Sequence, residues 1–411
     1  MDFQSKSHEK IRQLIKRGVE INNPGTVDIG DDVNINQISG KNVRIYPGCR
    51  IYGKKTVITS GCILGYEAPV TIEDCQLGPD VELKGGFFSK SVFLEKSNMG
   101  LDAHVREGCI LEEEAGGAHC VGLKQTILFP FVTLGSLINF CDCFMAGGTS
   151  RSNHSEVGSS YIHFNYTPDA DKATPSLIGD IPRGVMLNQP LIFLGGQGGI
   201  VGPVHLGYGN VVAAGSIIKN DYPNNNQLIF DIPHSSGTRN FISAAYPNFR
   251  RILRNNILYL ANIKALESWY ANVRKPFFEV QEFGSLIYEG AMDKLTLTGE
   301  ERLKRLKNMA QKAANQFDTK LKAVAMKERK ELCKQIGNIE AIINEEIHDK
   351  VISKNQDKFL RKIKFTGKYI ETIQKLSPDI STKGVNWLQG IVDYYCQRIS
   401  TMLPSPKLFK S

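Results

Sequence analysis

Apolar residues recur every six positions through the first 235 residues of the chain. Small or turn-forming residues separate them, as in "IYPGCR" and "LGYGNV", and one uninterrupted run is Leu194, Ile200, Leu206, Val212 and Ile218. A helix needs apolar spacings of three and four, and an ordinary strand needs a spacing of two. The six-residue period fits neither. It is typical of a parallel β-helix in which each hexapeptide supplies one short strand and one corner.

The aliphatic residue of each hexapeptide is expected to point inward and to stack on its equivalent in the next coil. Stacked coils bury a continuous core that no single coil could bury. Gly, Asn and Asp are expected at the corners because they tolerate unusual backbone angles. The other members of the apolar series are Ile29, Ile35, Ile45, Ile51, Val57, Ile63, Leu77, Leu83, Met99, Val105 and Leu111.

The composition changes near residue 235, from Gly, Val, Ile and Asn to Lys, Glu, Leu, Ala and Gln. We therefore predict an N-terminal helix within 1–22, a hexapeptide β-helix over 23–235, and an α-helical bundle or coiled-coil-like domain over 236–411. In the last part, one helical segment should end near Pro276, and Thr298 with Glu301 makes a capping box. A long periodic run without proline follows, and "NWLQGIVDYYCQRISTML" predicts a final amphipathic helix. These helices should oligomerise or pack on the β-helix; the alternative is a docking platform for a protein partner.

Composition excludes several classes of protein. The chain has 411 residues, of which 41% are hydrophobic and 22% charged, which predicts a soluble, core-forming protein. Its net charge of +8 suits small anions such as phosphates, and no basic motif with interleaved aromatic residues predicts a nucleic-acid partner. No apolar run is long enough to predict a membrane span. Nine cysteines without paired spacing indicate reduced thiols in a cytoplasmic compartment, and Cys141 and Cys143 are interpreted as core residues rather than metal ligands.

The stretch "HFNYTPDADKATPSLIGD", residues 163 to 180, interrupts the repeat with a polar-aromatic pair and a loop. A loop inserted between hexapeptides projects from the column and can cover a cleft between neighbouring subunits. Asn165 and Tyr166 are therefore candidate site residues at the base of the loop. The alternative is a surface turn in which the tyrosine packs on its neighbour.

Four segments in the same order carry a resemblance to a known family: "EKIRQLIKRGVEINNP", "HVREGCILEEEAGGAHCVGLKQT", "SEVGSSYIHFNY" with "SLIGD", and "VGPVHLGYGNVVAAGSII". They resemble the C-terminal acetyltransferase domain of the bacterial bifunctional glucosamine-1-phosphate N-acetyltransferase/uridylyltransferase family. The resemblance implies a left-handed β-helix, a homotrimer with sites between subunits, and a phosphorylated sugar or nucleotide sugar as ligand.

The resemblance also assigns roles to individual residues. In the family an Arg and a Lys hold the sugar phosphate, and Arg106 and Lys124 match them without a gap. Arg offers phosphate a planar fork and Lys a point charge, although a solvated charge or a corner salt bridge is the alternative interpretation for each. Further assignments are Asn165 and Tyr166 as sugar contacts, Lys172 as a loop lysine that matches only across a gap, and Ser159 and Ala214 beside the acyl-coenzyme A cosubstrate.

This sequence departs from the family at the catalytic base. The family's His and Tyr align with Ser136 and Asn139 in "LGSLIN", and these two residues are assigned to the substrate site. A serine cannot take a proton from an ammonium group near neutral pH without a partner base. No segment resembles the uridylyltransferase half, so we do not expect the chain to make UDP-sugars. Two insertions, at 147–155 and 187–199, are expected near the cleft.

Three residues are candidates for the missing base: His163, Glu156 and His154. His163 and Asn165 have the same strand parity, as do His154 and Glu156. A histidine with carboxylate support could act as a base, whereas a surface corner residue is the alternative for each.

Two functions from different classes follow. The first is an acyl-coenzyme A-dependent acyltransferase that acts on an amino-sugar phosphate or nucleotide sugar. The second is a non-catalytic sugar-nucleotide-binding or scaffold protein that kept the cleft and lost the base. A zinc enzyme like the gamma-type carbonic anhydrases, which also have this fold, would need three close histidines. His104, His119, His154 and His163 lack the spacing for it, and no metal is predicted.

Overall fold

The computed structural model describes residues 6–163, 173–231, 237–238, 246–315, 323–345 and 354–409. These residues form a parallel β-solenoid, whose largest sheet has 11 strands, followed by a group of α-helices. The predicted fold class, a hexapeptide-repeat β-solenoid followed by helices, is confirmed. The helix α1 (Lys6–Lys16) precedes the first strand.

Three sheets form the sides of the column, and each coil passes through them in the order face 1, face 2, face 3. Edge A joins face 1 to face 2, edge B joins face 2 to face 3, and edge C joins face 3 to face 1. Face 1 consists of β1 (Glu20–Ile21), β3 (Arg44–Ile45), β6 (Ile63–Leu64), β9 (Glu82–Leu83), β12 (Asn98–Met99), β15 (Gly116–Gly117), β18 (Thr133–Leu134), β23 (Glu156–Val157), β26 (Phe193–Leu194), β29 (Val211–Val212) and β31 (Leu228–Ile229).

The other two faces have shorter stacks. Face 2 consists of β2 (Asp28–Ile29), β4 (Arg50–Tyr52), β7 (Val70–Glu73), β10 (Gly86–Ser89), β13 (Ala103–Val105), β16 (Val121–Lys124), β19 (Ile138–Cys141), β24 (Ser160–Ile162), β27 (Gly198–Ile200) and β30 (Ile217–Ile218). Face 3 consists of β5 (Val57–Ile58), β8 (Gln76–Leu77), β11 (Ser91–Phe93), β14 (Cys109–Leu111), β17 (Ile127–Leu128), β20 (Cys143–Met145), β25 (Ser176–Ile178) and β28 (His205–Leu206).

Inward-pointing aliphatic residues stack from coil to coil as predicted. In face 1, Ile45, Leu64, Leu83 and Met99 are in register and fully buried. The expectations for Val57 and Ile63 are wrong, because their neighbours Ile58 and Leu64 occupy the inward positions and fill the core. Between Ile51 and Ile58 the repeat has seven residues instead of six, and the extra residue moves the following strand by one position.

The corners depart from the predicted composition. Residues with positive φ recur every six positions at Lys96, Asp102, Gly108, Glu114 and Cys120. The left-handed conformation costs a non-glycine residue roughly 1–2 kcal/mol. Ladder hydrogen bonds between coils offset this cost. The backbone N–H of Lys96, for example, donates to the carbonyl of Pro79 at 2.8 Å, and that of Cys120 donates to the carbonyl of Leu101 at 2.8 Å.

Helices cover the outside of face 3. Six of its eight strands carry adjacent apolar residues, such as Ile110 and Leu111, and both members of the pair are buried. One member points into the solenoid, while the other packs beneath α3 and α5. The helices after α1 are α2 (Ile181–Gly184), α3 (Phe249–Trp269), α4 (Lys275–Glu279), α5 (Gly284–Ala314), α6 (Ala323–Asn344), α7 (Lys354–Leu360), α8 (Tyr369–Gln374) and α9 (Pro378–Met402).

Buried polar contacts fasten these helices to the column. Arg274 donates to both carboxylate oxygens of Glu113, at 2.7 and 3.2 Å, and the hydroxyl of Tyr270 lies 2.6 Å from the carboxylate of Glu112. A π-helical turn, Tyr270–Arg274, presents both side chains to the corner that follows face 3. Burial of Glu112 raises the pKa of its carboxyl. The described C-terminal helices therefore pack on the solenoid, as one of the two alternatives predicted.

Two helix boundaries differ from the sequence prediction, and one agrees. Thr298 is buried in the middle of α5 and does not start a helix. Pro276 lies in the first turn of α4, where a missing N–H is tolerated, so the helical path continues through the π turn to Glu279. The final helix is confirmed as α9. No helix within the described ranges is both long and apolar enough to cross a membrane.

Candidate functional site

Edge B collects the predicted phosphate-binding residues into one column. The strand register places Arg106, Lys124, Cys141 and His163 at equivalent positions of successive coils. Coils in a parallel sheet are about 4.8 Å apart, so Arg106 and Lys124 are direct neighbours and His163 lies roughly 10 Å beyond Lys124.

The charges at this edge are partly paired. The ammonium group of Lys124 lies 2.6 Å from the carboxylate of Glu107. Burial alone would raise the pKa of Glu107, but the hydrogen bond and charge of Lys124 bring it below its usual range. Arg106 is exposed and its guanidinium lies beside the thiol of Cys141. Burial and the nearby Asp142 raise the pKa of Cys141 to about 11, although Arg106 acts against them. Arg106 thus faces solvent, whereas Lys124 already has a carboxylate partner.

His163 is half-buried at the same edge, and its ring is engaged. Its Nε2 lies 2.7 Å from the hydroxyl of Ser176, which accepts a hydrogen bond from the backbone N–H of Val204. The hydroxyl is therefore free to donate its own proton to the ring nitrogen. Burial lowers the pKa of His163 to about 4, although the carboxylate of Asp142 acts in the other direction. The ring is consequently neutral near pH 7, and its Nε2 atom is hydrogen-bonded to Ser176.

Edge A collects the predicted cosubstrate residues. The register continues from face 1 and aligns His119, Ser136, Ser159, Gly196 and Ala214 in successive coils. Backbone hydrogen bonds hold this alignment at the corner: Leu137 N–H donates to the carbonyl of His119, and Gly215 N–H donates to that of Gly196.

Small residues precede this column at edge A. A Cβ atom on Gly158 would lie 2.6 Å from the backbone nitrogen of Gly196, and one on Gly195 would lie 2.4 Å from that of Ala214. No side chain fits at either position. Since Ser159 and Ala214 are exposed beside them, edge A presents backbone and short side chains to solvent.

His119 and Ser136 are in contact at this edge. The Nδ1 atom of His119 lies 2.9 Å from the Oγ atom of Ser136, and the histidine is exposed. His119 is not among the three candidate bases predicted from the sequence. The signal was available in the 17-residue separation of the two residues, which is close to the length of one coil.

Face 2 connects the two columns. Asn139 lies on its outer surface, half-exposed, three residues after Ser136 and two before Cys141. At about 3.3 Å per residue, the five residues from Ser136 to Cys141 span roughly 16 Å. The predicted cosubstrate residues and the predicted phosphate residues therefore lie on opposite edges of the same face.

His154 and Glu156 lie elsewhere, at edge C and on face 1. The first predicted insertion is a β-hairpin of β21 (Gly148–Ser150) and β22 (Asn153–His154). His154 closes the hairpin, since its Nδ1 lies 2.8 Å from the carbonyl of Arg151. Glu156 is half-exposed on the outer side of face 1, between Thr133 and Phe193. In the second insertion, only the residues before β26 depart from the repeat.

Three predicted site residues, Asn165, Tyr166 and Lys172, lie outside the described residues. Among the residues that the structure does describe, no group of three His, Cys, Asp or Glu side chains could hold a metal ion.

Part of the chain is similar to proteins named "Bifunctional protein GlmU" from several bacteria. The chain is 31% identical over 215 residues to the "Bifunctional protein GlmU" of Thermotoga maritima, a match that covers 52% of this chain and 42% of the relative. It is 30% identical over 214 residues to that of Fervidobacterium nodosum (52% and 42%), and 29% identical over 227 residues to that of Trichlorobacter lovleyi (55% and 44%). No family model matches the chain.

The resemblance stated from four sequence segments is confirmed over this half of the chain. The alignment covers about half of the residues, and the β-solenoid is the fold that the resemblance implies. The chain spans only about two fifths of the length of these relatives.

Proposed function

We propose that the chain is an acyl-coenzyme A-dependent acyltransferase that acts on an amino-sugar phosphate or a nucleotide sugar. The observation that carries the proposal is the arrangement of face 2. Arg106 and Lys124 occupy one of its edges, and Ser136, Ser159 and Ala214 occupy the other, in a chain that resembles GlmU proteins.

The phosphate of the acceptor binds at edge B. Arg106 is exposed and supplies a planar fork of donors, while Lys124 supplies a compact positive charge one coil away. Phosphate must compete with Glu107 for Lys124, because the two side chains already form a 2.6 Å ion pair. The sugar then extends across face 2 past Asn139, which directs its amino group towards edge A.

The acyl-coenzyme A cosubstrate lies along edge A. Gly158 and Gly195 leave no room for a side chain there, so an extended thioester arm can approach the backbone. The exposed Ser159 and Ala214 line the same path. An amine at the Ser136 end of face 2 would meet the thioester carbonyl there, and the backbone N–H groups of the corner are the available donors for the oxyanion.

A homotrimer is part of the proposal. Helices cover face 3, which leaves faces 1 and 2 for contacts between subunits. Large apolar side chains are exposed on these two faces in the last coils. Leu228 on face 1 is 66% exposed, Phe230 just after this strand is 64% exposed, and Val211 and Ile217 are exposed on faces 1 and 2 of the preceding coil. Burying this surface in a neighbouring subunit would remove it from water.

The competing candidate is a non-catalytic protein that binds a sugar nucleotide. Ser136 favours it, because a serine stands where the family has its basic histidine. This candidate keeps the ligand contacts at edges A and B and requires no proton acceptor.

Thermal-shift titration separates the two candidates. Acetyl-coenzyme A, glucosamine-1-phosphate and UDP-N-acetylglucosamine are added separately, since a ligand that binds only the folded state raises the melting temperature. We expect shifts with the coenzyme and with the sugar phosphate. A shift with the nucleotide sugar alone would favour the binding protein, and no shift with any ligand would contradict both.

Matched variants locate the binding. Arg106→Ala with Lys124→Ala should remove the sugar-phosphate shift and leave the coenzyme shift. Lys16→Ala with Lys54→Ala removes the same charge from exposed positions and should change neither. Conversely, Ala214→Trp should remove only the coenzyme shift. Ala323→Trp places the same bulk on an exposed position of α6 as a control.

A further inference from the structure

We propose that Ser136 and His119 together form the proton acceptor of the acyl transfer. In this pair Ser136 contacts the amine and His119 receives the proton through it. The inference rests on the proposed function and specifies how the reaction proceeds without the family's histidine.

The contact has the geometry of a proton relay. Ser136 Oγ and His119 Nδ1 are 2.9 Å apart, which is a normal hydrogen-bond distance. The two residues occupy the same corner position of adjacent coils, so the ladder of faces 1 and 2 fixes their separation. The hydrogen bond from Leu137 N–H to the carbonyl of His119, at 3.1 Å, closes the corner between them.

The position of the pair matches its task. Ser136 is the residue that aligns with the family's base, and it lies at edge A two residues before the face 2 strand β19. Ser159 and Ala214 continue the column on the other side of Ser136 from His119. An acyl group held on that side and an amine on face 2 would therefore meet beside the serine hydroxyl.

The other candidate histidines, His163 and His154, form hydrogen bonds away from Ser136. The Nε2 atom of His163 is bonded to Ser176 at edge B, and His154 lies in the hairpin at edge C. Glu156 is on the outer side of face 1. His119 is the described histidine that contacts the residue at the base position.

In this relay the proton moves from the substrate amine through Ser136 to His119. The serine hydroxyl donates to Nδ1, which leaves the oxygen lone pairs directed at the substrate amine. The amine nitrogen attacks the thioester carbonyl carbon, and the new C–N bond forms as the carbonyl becomes an oxyanion. Ser136 Oγ takes one proton from nitrogen while its own proton moves to Nδ1. The oxyanion collapses, the C–S bond breaks, and the coenzyme A thiolate leaves with the electron pair. The imidazolium then returns the proton to the thiolate or to water.

A serine alone could not perform this step, because its alkoxide is too basic to form near neutral pH. The histidine changes this, because an imidazole nitrogen is a much stronger base than a serine hydroxyl and can hold the proton for the duration of the reaction. In this pair Ser136 Oγ contacts the amine and His119 Nδ1 accepts the proton, whereas one histidine has both roles in the family.

Steady-state turnover of acetyl-coenzyme A and glucosamine-1-phosphate tests the relay in five proteins: the wild type, His119→Ala, Ser136→Ala, the double variant Ser136→His with His119→Ala, and His8→Ala. His8 is an exposed histidine of α1 and serves as the control. General acid–base groups typically contribute about 10²–10⁴-fold to rate. We expect kcat to fall by about 10²-fold or more in each single variant of the pair, with KM nearly unchanged, and to be unaffected in His8→Ala.

The double variant makes the test specific. Histidine at position 136 restores a base that needs no partner, so turnover should recover even though His119 is absent. In the double variant kcat should still increase with pH, as in the wild type. In His119→Ala this increase should disappear. A merely structural role for His119 would not produce this rescue. Retained thermal shifts with acetyl-coenzyme A confirm that each variant is folded.

The outcomes distinguish a failure of the relay from a failure of the proposed acyltransferase function. Turnover by the wild type that survives His119→Ala would overturn the relay and leave the acyltransferase standing. Loss of turnover in His119→Ala without rescue by the double variant would also overturn it. No turnover by the wild type, with ligands bound, would overturn the proposed reaction itself.

Discussion

Arg302 of α5 donates a 2.8 Å hydrogen bond to the carboxylate of Asp142, which lies at edge B between Cys141 and Cys143. The side chain of Arg302 is 2% exposed and that of Asp142 is 11% exposed. Asp142 also accepts a hydrogen bond from Thr174 at 3.3 Å. The helical segment therefore reaches the corner next to the predicted phosphate site, so the stability of this corner depends on the helices.

Asp142→Asn should destabilise the protein by about 3 kcal/mol or more, because it removes the negative charge that accepts the 2.8 Å hydrogen bond of the buried Arg302 guanidinium. Asparagine retains the size of the side chain and tolerates the positive φ of this position. The free energy of unfolding from urea titration measures the effect. The exposed Asp231→Asn provides a control and should change stability by less than about 0.5 kcal/mol. Adding Arg302→Met to Asp142→Asn should recover part of the loss, and an additive double variant would contradict a direct coupling.

His163 should make stability depend on pH. Its pKa in the folded protein is lowered to about 4 from an ordinary value of 6.5, so the unfolded chain binds a proton more readily. The stabilising contribution is complete above pH 6.5 and is lost as the pH falls towards 4; at pH 5 the loss is about 2 kcal/mol. His163→Gln removes this titration. The stability difference between wild type and variant should shrink between pH 7 and pH 5, and a constant difference would contradict the burial of a neutral ring.

Glu107→Gln should tighten the binding of glucosamine-1-phosphate severalfold, because Lys124 would no longer be held by a carboxylate. Isothermal titration at low and high salt measures the affinity, and the gain should diminish as salt screens the charges. Glu67→Gln is a matched control, since Glu67 forms a similarly exposed ion pair with Lys84 at 3.2 Å. Equal effects of the two substitutions would indicate a general change in net charge and not a site at Lys124.

Leu228→Asp should convert the proposed trimer to monomers. Leu228 is paired in register with Val211 on the outer side of face 1, where a charge would oppose burial between subunits. Multi-angle light scattering after size-exclusion chromatography gives the mass of each species. Val324 is a similarly exposed apolar residue on α6, so Val324→Asp is the control. A monomeric wild type would contradict the trimer directly.

The hexapeptide period predicted the column and its inward stacks, because one coil repeats the same burial at fixed intervals. It could not predict the shift between Ile51 and Ile58, where a single extra residue leaves both apolar neighbours, Val57 and Ile58, compatible with an inward position. Both are buried: Ile58 points into the solenoid, and Val57 packs on its outer side. Period alone does not distinguish these environments.

A second sequence pattern, which is not part of the six-residue apolar series, indicates where the helices pack. On face 3 the chain repeats apolar doublets, whereas faces 1 and 2 mostly pair an inward aliphatic residue with a polar or small neighbour. Val92–Phe93, Ile127–Leu128 and Phe144–Met145 are examples, and all six residues are buried. A second apolar position on the same strand needs a second core, which the helices supply.

The sequence selected Arg106, Lys124 and Ser136 as candidates, but it could not predict which side chains meet. Arg106 and Lys124 are 18 residues apart and His119 and Ser136 are 17 apart, which approximates one coil in this part of the solenoid. Hydrophobic periodicity identifies coils, but the side chains that meet between coils depend on the register. For the same reason strand parity favoured His163, whereas its hydrogen bond to Ser176 could be found only in three dimensions.

The most direct test of the account is product analysis by mass spectrometry after the wild-type protein has been incubated with acetyl-coenzyme A and glucosamine-1-phosphate. We expect N-acetylated sugar phosphate and free coenzyme A in equal amounts, and neither product with Arg106→Ala and Lys124→Ala combined. Unchanged substrates, from a protein that nevertheless binds UDP-N-acetylglucosamine, would contradict it and identify the cleft as a binding site without chemistry.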